Sequence, residues 1–134
     1  MKSLQVLICI LALVLDVGAQ EIAKQGPAFT WEKASYDFGD LAQGEKIEHV
    51  FKFTNSGSEP LVITNVEVTC GCTTPKGWPK NPIKPGGAGE ITVAFDSTGK
   101  IGRQNKVITI TSNAIGASNQ VMISGTVLEK KISN

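Results

Sequence analysis

Short runs of alternating apolar residues, separated by turn-forming residues, recur along most of this chain. In the run 91–95, for example, Ile91, Val93 and Phe95 alternate with Thr92 and Ala94. Successive side chains of a β-strand point to opposite faces, so a period of two residues is typical of a strand with one buried face. After residue 28, no run shows the period of 3.6 residues expected of an amphipathic helix. The pattern predicts an all-β protein.

Turn-forming residues divide the chain into six or seven predicted strands. Asn55-Ser56-Gly57-Ser58 predicts a tight turn, residues 39–44 predict another turn, and the proline- and glycine-rich segment 75–87 predicts a loop. The predicted strands lie within 29–31, 36–38, 46–55, 61–70, 91–95, 106–112 and 121–127. Short strands at this spacing predict an antiparallel β-sandwich.

The run 61–70 changes phase along its length. Leu61 and Ile63 share one parity, whereas Val66 and Val68 share the other. Since a shift of one residue reverses every side chain of a strand, a β-bulge near residues 64–65 is expected. The resulting strand phases predict one core containing Phe51, Phe53, Ile91, Val93, Phe95, Ile108, Ile110 and Ile123.

The N-terminus has the three parts of a secretory signal peptide. Lys2 supplies a positive start, residues 6–15 form an unbroken apolar run, and small residues follow at 17–19. The apolar run is shorter than the roughly 20 residues that span a bilayer. We therefore expect a signal peptide over residues 1–19, with cleavage between Ala19 and Gln20. The mature protein is then exported, to the periplasm or the medium, with no stable membrane anchor.

Composition argues against two classes of function. The chain has 13 Lys and Arg against 12 Asp and Glu, so no basic face for nucleic acid is implied. Catalysis by a Ser-His-acid or Cys-His arrangement needs a histidine. The one histidine, His49, lies in the middle of a predicted strand, where we interpret it as half-buried or at a sheet edge. We expect neither enzymatic activity nor a cofactor.

Several longer stretches resemble a family of exported bacterial proteins of unknown function. They are YDFGDLAQGE, FKFTNSGSEPLVITNVEVTCGCTTP, PIKPGGAGEITVAFDSTGKIGRQNKVITITSN and ISGTV, and the likeness covers 29–128. The family is found mainly in Bacteroidetes, and its most specific element is CGCT followed by PG. The resemblance implies an immunoglobulin-like sandwich, similar in plan to the domains of hydin and the major sperm protein. It implies no established activity.

The resulting organisation is a signal peptide, a flexible lead-in over residues 20–28, the sandwich domain over 29–128 and a tail over 129–134. The function expected for such a chain is non-enzymatic binding of another protein in the cell envelope. This expectation rests on the fold and on the ability of an open sandwich to accept an added strand at its edges. The sequence leaves the partner and the oligomeric state open.

Cys70 and Cys72 leave three interpretations open. They are buried structural residues, a reducible disulfide, or part of a soft-metal site for copper(I). A disulfide between residues i and i+2 of a strand requires a kink, which Gly71 is suited to provide. The pair is the basis of an alternative function, thiol redox or copper handling.

Trp78 is the other candidate, because it lies in the predicted loop where no strand periodicity explains it. Loops at the ends of sandwiches often carry binding residues. Trp78 is either a ligand platform or, in the interpretation we favour, a cap over the end of the sandwich beside the cysteines.

Overall fold

A computed structural model describes residues 25–116 and 119–130. The expected signal peptide, its cleavage point between Ala19 and Gln20, and residues 131–134 of the expected tail lie outside the described residues. The described part of the chain is built of β-strands and turns. It contains no helix long and apolar enough to cross a membrane.

Eight strands form two four-stranded sheets that pack face to face. Sheet A has the order β1-β3-β6-β5, and sheet B has the order β2-β8-β7-β4. The strands are β1 (Phe29–Trp31), β2 (Ser35–Ala42), β3 (Lys46–Asn55), β4 (Ile63–Val68), β5 (Thr73–Gly77), β6 (Ala88–Asp96), β7 (Gly102–Ser112) and β8 (Gln120–Leu128). The predicted all-β, immunoglobulin-like sandwich is confirmed.

Two details of the predicted strands are also confirmed. β3 has the predicted bounds, because the turn residues that follow Asn55 end it where the alternation ends. In β4, the pairing with β7 shifts register between Ile63 and Asn65, which is the predicted bulge. The bulge allows Leu61, Ile63 and Val66 all to be buried although their parities differ.

Three other details were wrong. Residues 75–77 of the predicted 75–87 loop belong to β5, which is an edge strand. Pro75 is tolerated there because, within the described residues, one side of the strand has no partner that would receive an N–H. Residues 39–42, predicted to be turn, continue β2 past a register shift between Asp37 and Asp40. β2 pairs with β8 in parallel, so the sandwich is not purely antiparallel.

The core consists of two clusters instead of the single one predicted. All eight predicted residues are at most 2% exposed. Seven of them lie in the main cluster between the sheets, whereas Phe95 belongs to a second cluster with Leu41 and Val127. The partly buried Phe38 and Ile47 pack against both clusters and join them.

One buried amide holds the segments at one end of the sandwich together. The side chain of Asn55 is fully buried and accepts hydrogen bonds from the N–H groups of Ala28 and Gly57, at 3.2 and 3.0 Å. It donates to the C=O groups of Glu59 and Ile83, at 2.8 and 2.9 Å. Every hydrogen-bonding position of the amide is thus used, so burial of the polar group is compensated.

The described part of the lead-in, residues 25–28, is held by the domain. Gly26 donates to the Ser58 hydroxyl at 3.0 Å, and its own C=O accepts from the Ser58 N–H at 2.9 Å. Gly57 lies so close to the backbone of Gly26 and Ala28 that a Cβ there would overlap it. The folded domain therefore includes residues 26–28.

Candidate functional site

The most distinctive feature of sheet A is a strand edge that its neighbour covers only in part. β1 pairs with β3 over three positions, from Phe29 opposite Asn55 to Trp31 opposite Phe53. One further hydrogen bond runs from the Glu32 N–H to the Lys52 C=O, at 2.9 Å. Within the described residues, no strand pairs with residues 46–51 on this side. We call this stretch the open edge of β3.

The hydrogen bonds at the two ends of β3 show which residues face the open edge. The Lys52 C=O is directed toward β1, whereas the Asn55 N–H is directed toward β6 and bonds the Gly87 C=O at 2.8 Å. Residues of an antiparallel strand direct their backbone groups to alternate sides. Even-numbered residues therefore face the open edge, and these are Lys46, Glu48 and Val50.

The side chains of these three residues are exposed on the outer face of sheet A. Val50 is one of the few large apolar residues that are exposed, at 38%. The Lys46 ammonium lies 3.8 Å from the Asp96 carboxylate. Hydrogen bonds from the Thr98 hydroxyl and N–H, with a smaller contribution from Lys46, hold the pKa of Asp96 below its usual value.

His49 lies between the edge-facing residues, and its ring points toward the core. It stacks on Tyr36 of sheet B with ring centroids 3.8 Å apart, and it meets Phe51 edge-on at 4.6 Å. Burial, with a smaller contribution from Lys33, lowers the pKa of His49. The interpretation of His49 as half-buried or at a sheet edge is confirmed, because its side chain is half-buried and β1 does not extend along β3 as far as His49.

A shallow pocket of about 230 Å³ lies beside His49, where β1 ends and the open edge begins. It is lined by Glu32, Lys33, His49, Val50 and Lys52. The pocket has room for one or two side chains of a segment placed along the open edge.

Cys70 and Cys72 are joined by a disulfide in the turn between β4 and β5, with their Cα atoms 5.3 Å apart. The Thr73 N–H bonds the Cys70 C=O at 3.2 Å, and the Asp96 N–H bonds the Cys72 C=O at 2.8 Å. The turn is thereby fixed to the end of β6. Both cysteine residues are half-buried.

The surroundings of the two cysteines differ. Cys72 packs against the second core cluster and lines a pocket of about 150 Å³ together with Lys46, Lys76 and Asp96. Across residues 25–116 and 119–130, no three His, Cys, Asp or Glu side chains come together so as to hold a metal ion.

Trp78 lies at the opposite end of β5 from the cysteines. The five residues of β5 separate Cys72 from Trp78 and span about 17 Å when extended. Trp78 packs against the main core cluster, and the Lys80 ammonium lies 3.1 Å from the centre of its ring. The predicted position of Trp78 beside the cysteines is wrong, because the intervening segment is a strand.

Sequence reasoning did not find the open edge. The relevant signal was a difference in length, since the run 29–31 is far shorter than the run 46–55 with which it pairs in the structure. Pairing of the two runs leaves most of the longer one uncovered.

Solved structures with the same fold come from bacteria and from human. A protein of unknown function from Porphyromonas gingivalis W83 matches with a TM-score of 0.64 and 22% identity, over 76% of this chain and 47% of that one. The secreted serine protease VesC from Vibrio cholerae matches with a TM-score of 0.56 and 15% identity, over 76% of this chain and 23% of that one. This chain thus spans about half or less of both proteins.

Another of these structures is an isolated human domain, which matches over nearly its whole length. It is the ASH or PapD-like domain 7 of CEP192, with a TM-score of 0.55 and 13% identity, over 77% of this chain and 87% of that domain. Identities this low show a shared fold alone. No curated protein matches the chain by sequence.

The sequence itself matches one family model, DUF1573, described as a protein of unknown function. The match covers residues 29–127, from the first residue of β1 almost to the last residue of β8. The chain belongs to this family.

Proposed function

We propose that this chain is an exported, non-enzymatic protein-binding module of the cell envelope, which holds an extended segment of a partner protein along the open edge of β3. The proposal rests on the backbone groups of Lys46, Glu48 and Val50 that face the open edge, where no strand of the described residues pairs with them. N–H and C=O groups exposed along a strand edge are a template for a further strand. The signal-peptide pattern of residues 1–19 supports export.

The side chains beside the open edge define the segment that fits. An acidic residue opposite Lys46 and a basic residue opposite Glu48 would each add about 0.2–1 kcal/mol as cross-strand pairs. An apolar residue would contact Val50 and enter the 230 Å³ pocket beside His49. Because charged edges discourage unselective pairing, these residues favour one partner sequence over others.

Site-specific photocrosslinking in intact cells tests this function. Val50 on sheet A and Met122 on sheet B are exposed to nearly the same degree, 38% and 36%. A photoreactive phenylalanine analogue at position 50 is expected to capture one stoichiometric envelope protein, whereas the same analogue at position 122 captures none. Equal capture at both positions, or none at position 50, would contradict the proposal.

A further inference from the structure

The disulfide between Cys70 and Cys72 contributes little as a structural staple. A disulfide stabilises mainly by restricting the unfolded chain, and the effect grows with the length of the loop that it closes. Here one residue separates the two cysteines, so the closed loop is very short and the stabilisation is correspondingly small. The turn is also fixed without the disulfide, by the hydrogen bonds from Thr73 and Asp96.

The two sulfur atoms have unequal surroundings. Cys72 packs against the cluster of Leu41, Phe95 and Val127, whereas Cys70 belongs to neither core cluster of the described chain. The Thr73 hydroxyl lies 4.0 Å from the Cys70 sulfur and 3.9 Å from the Cys72 sulfur, so it contacts both equally. An incoming thiolate therefore meets the Cys70 sulfur with less obstruction from the core.

Positive charge lies beside the sulfur that would be released. The 150 Å³ pocket at Cys72 is lined by Lys46 and Lys76, with Asp96 as the one carboxylate. That carboxylate is already engaged by the Thr98 hydroxyl at 2.6 Å and by Lys46 at 3.8 Å. Neighbouring lysines stabilise the negative charge of a thiolate, which makes that thiolate a better leaving group.

We propose that the Cys70–Cys72 disulfide is a thiol-exchange site that accepts two electrons from a dithiol. A thiolate of the dithiol attacks the Cys70 sulfur, the bond to Cys72 breaks, and the Cys72 thiolate is released beside Lys46 and Lys76. The second thiol of the dithiol, as its thiolate, then attacks the mixed disulfide and releases Cys70. The dithiol leaves as a disulfide, and the two cysteines take up the two protons. This activity does not require a segment bound at the open edge, although Lys46 lines both sites.

The first test is reduction of the folded mature protein by dithiothreitol. We expect the disulfide to be reduced within minutes, with a mass gain of two hydrogens and an unchanged circular-dichroism spectrum. A disulfide that stays oxidised until the protein is unfolded would overturn the proposal.

Single-cysteine variants test the direction of attack. Cys72→Ser leaves Cys70 as the only thiol of the domain, and Cys70→Ser leaves Cys72. With an aromatic disulfide reagent, and after each rate is divided by the measured fraction of thiolate, we expect the Cys70 thiol to react about tenfold faster than the core-packed Cys72 thiol, because burial limits access. Equal rates, or a faster Cys72, would contradict the assigned direction.

A lysine variant tests the role of the pocket. Lys76→Gln is expected to slow reduction by dithiothreitol about two- to fivefold, the size of an exposed charge interaction, and added salt should reduce the difference. Lys84→Gln, which removes an exposed lysine outside this pocket, serves as the control and should leave the rate unchanged. Equal effects of the two substitutions would exclude a specific role for Lys76.

Discussion

The ring of Phe38 lies directly over the backbone of Gly125, in the space that a side chain at position 125 would occupy. The same ring stacks on Phe95 from sheet A, with centroids 5.4 Å apart. Phe38 thus links β2 and β8 of sheet B to the second core cluster. The absence of a side chain at Gly125 makes this packing possible.

Substitution of Gly125 by alanine should therefore destabilise the protein. A Cβ atom at this position overlaps the Phe38 ring, and overpacking of this kind typically costs about 1–3 kcal/mol. The measurement is the free energy of unfolding in urea. Gly77→Ala is the control, because a Cβ there has open space around it, and the control should be close to neutral. The loss of unfolding free energy caused by Gly125→Ala should be smaller in a chain that also carries Phe38→Ala. If the loss is the same with and without Phe38→Ala, another contact is responsible.

Asn55→Asp should cost about 3 kcal/mol or more in the free energy of unfolding. The replacement keeps the shape but removes both donated hydrogen bonds, to Glu59 and Ile83, and places a carboxyl group in a fully buried site. Asn113→Asp is the matched control, since Asn113 also donates and accepts backbone hydrogen bonds but is exposed. Equal losses of unfolding free energy in the two variants would mean that burial of the Asn55 amide does not add to the effect of the substitution.

The depressed pKa of His49 makes stability depend on pH. The unfolded chain, in which the imidazole has its ordinary pKa of about 6.5, binds the proton at a higher pH than the folded protein does. Stability should fall as the pH decreases through about 6.5, and the loss from this group should end below the folded pKa. The groups near the ring are Tyr36, Phe51 and the charged pocket residues Glu32, Lys33 and Lys52.

Urea unfolding at several pH values between about 5.5 and 8 measures this contribution. The variant His49→Gln should have a smaller dependence on pH in this window than the original chain. Identical pH profiles for the two proteins would show that His49 does not titrate differently on folding.

Charges beside the open edge should govern partner affinity. The double variant Lys46→Glu, Glu48→Lys keeps the net charge of the protein. Each changed side chain then faces a residue of the same charge in the bound segment. We expect about tenfold weaker binding of the crosslinked partner, from two reversed cross-strand pairs. The control exchanges a surface pair of sheet B, Asp37→Arg with Arg103→Asp, whose charges lie 3.9 Å apart. Equal loss in both variants would contradict a role for this edge.

The sequence predicted the parts of the fold that alternation and turns define locally. The bounds of β3 and the bulge in β4 follow from the positions of apolar and turn residues alone. β5 was missed because Thr73–Gly77 has no apolar alternation, and only its pairing with β6 makes it a strand. The open edge was missed for a similar reason, since it results from the register between β1 and β3. The spacing of Cys70 and Cys72 alone did not distinguish a disulfide from two buried thiols.

Amide hydrogen exchange along β3 tests the proposed binding mode most directly. In the free protein, the N–H groups of Glu48 and Val50 face the open edge and should exchange fast, whereas the His49 N–H faces β6 and should be protected. Addition of the crosslinked partner should protect Glu48 and Val50 and leave His49 unchanged. Protection of all three amides in the free protein, or fast exchange of Glu48 and Val50 in the complex, would contradict strand addition at this edge.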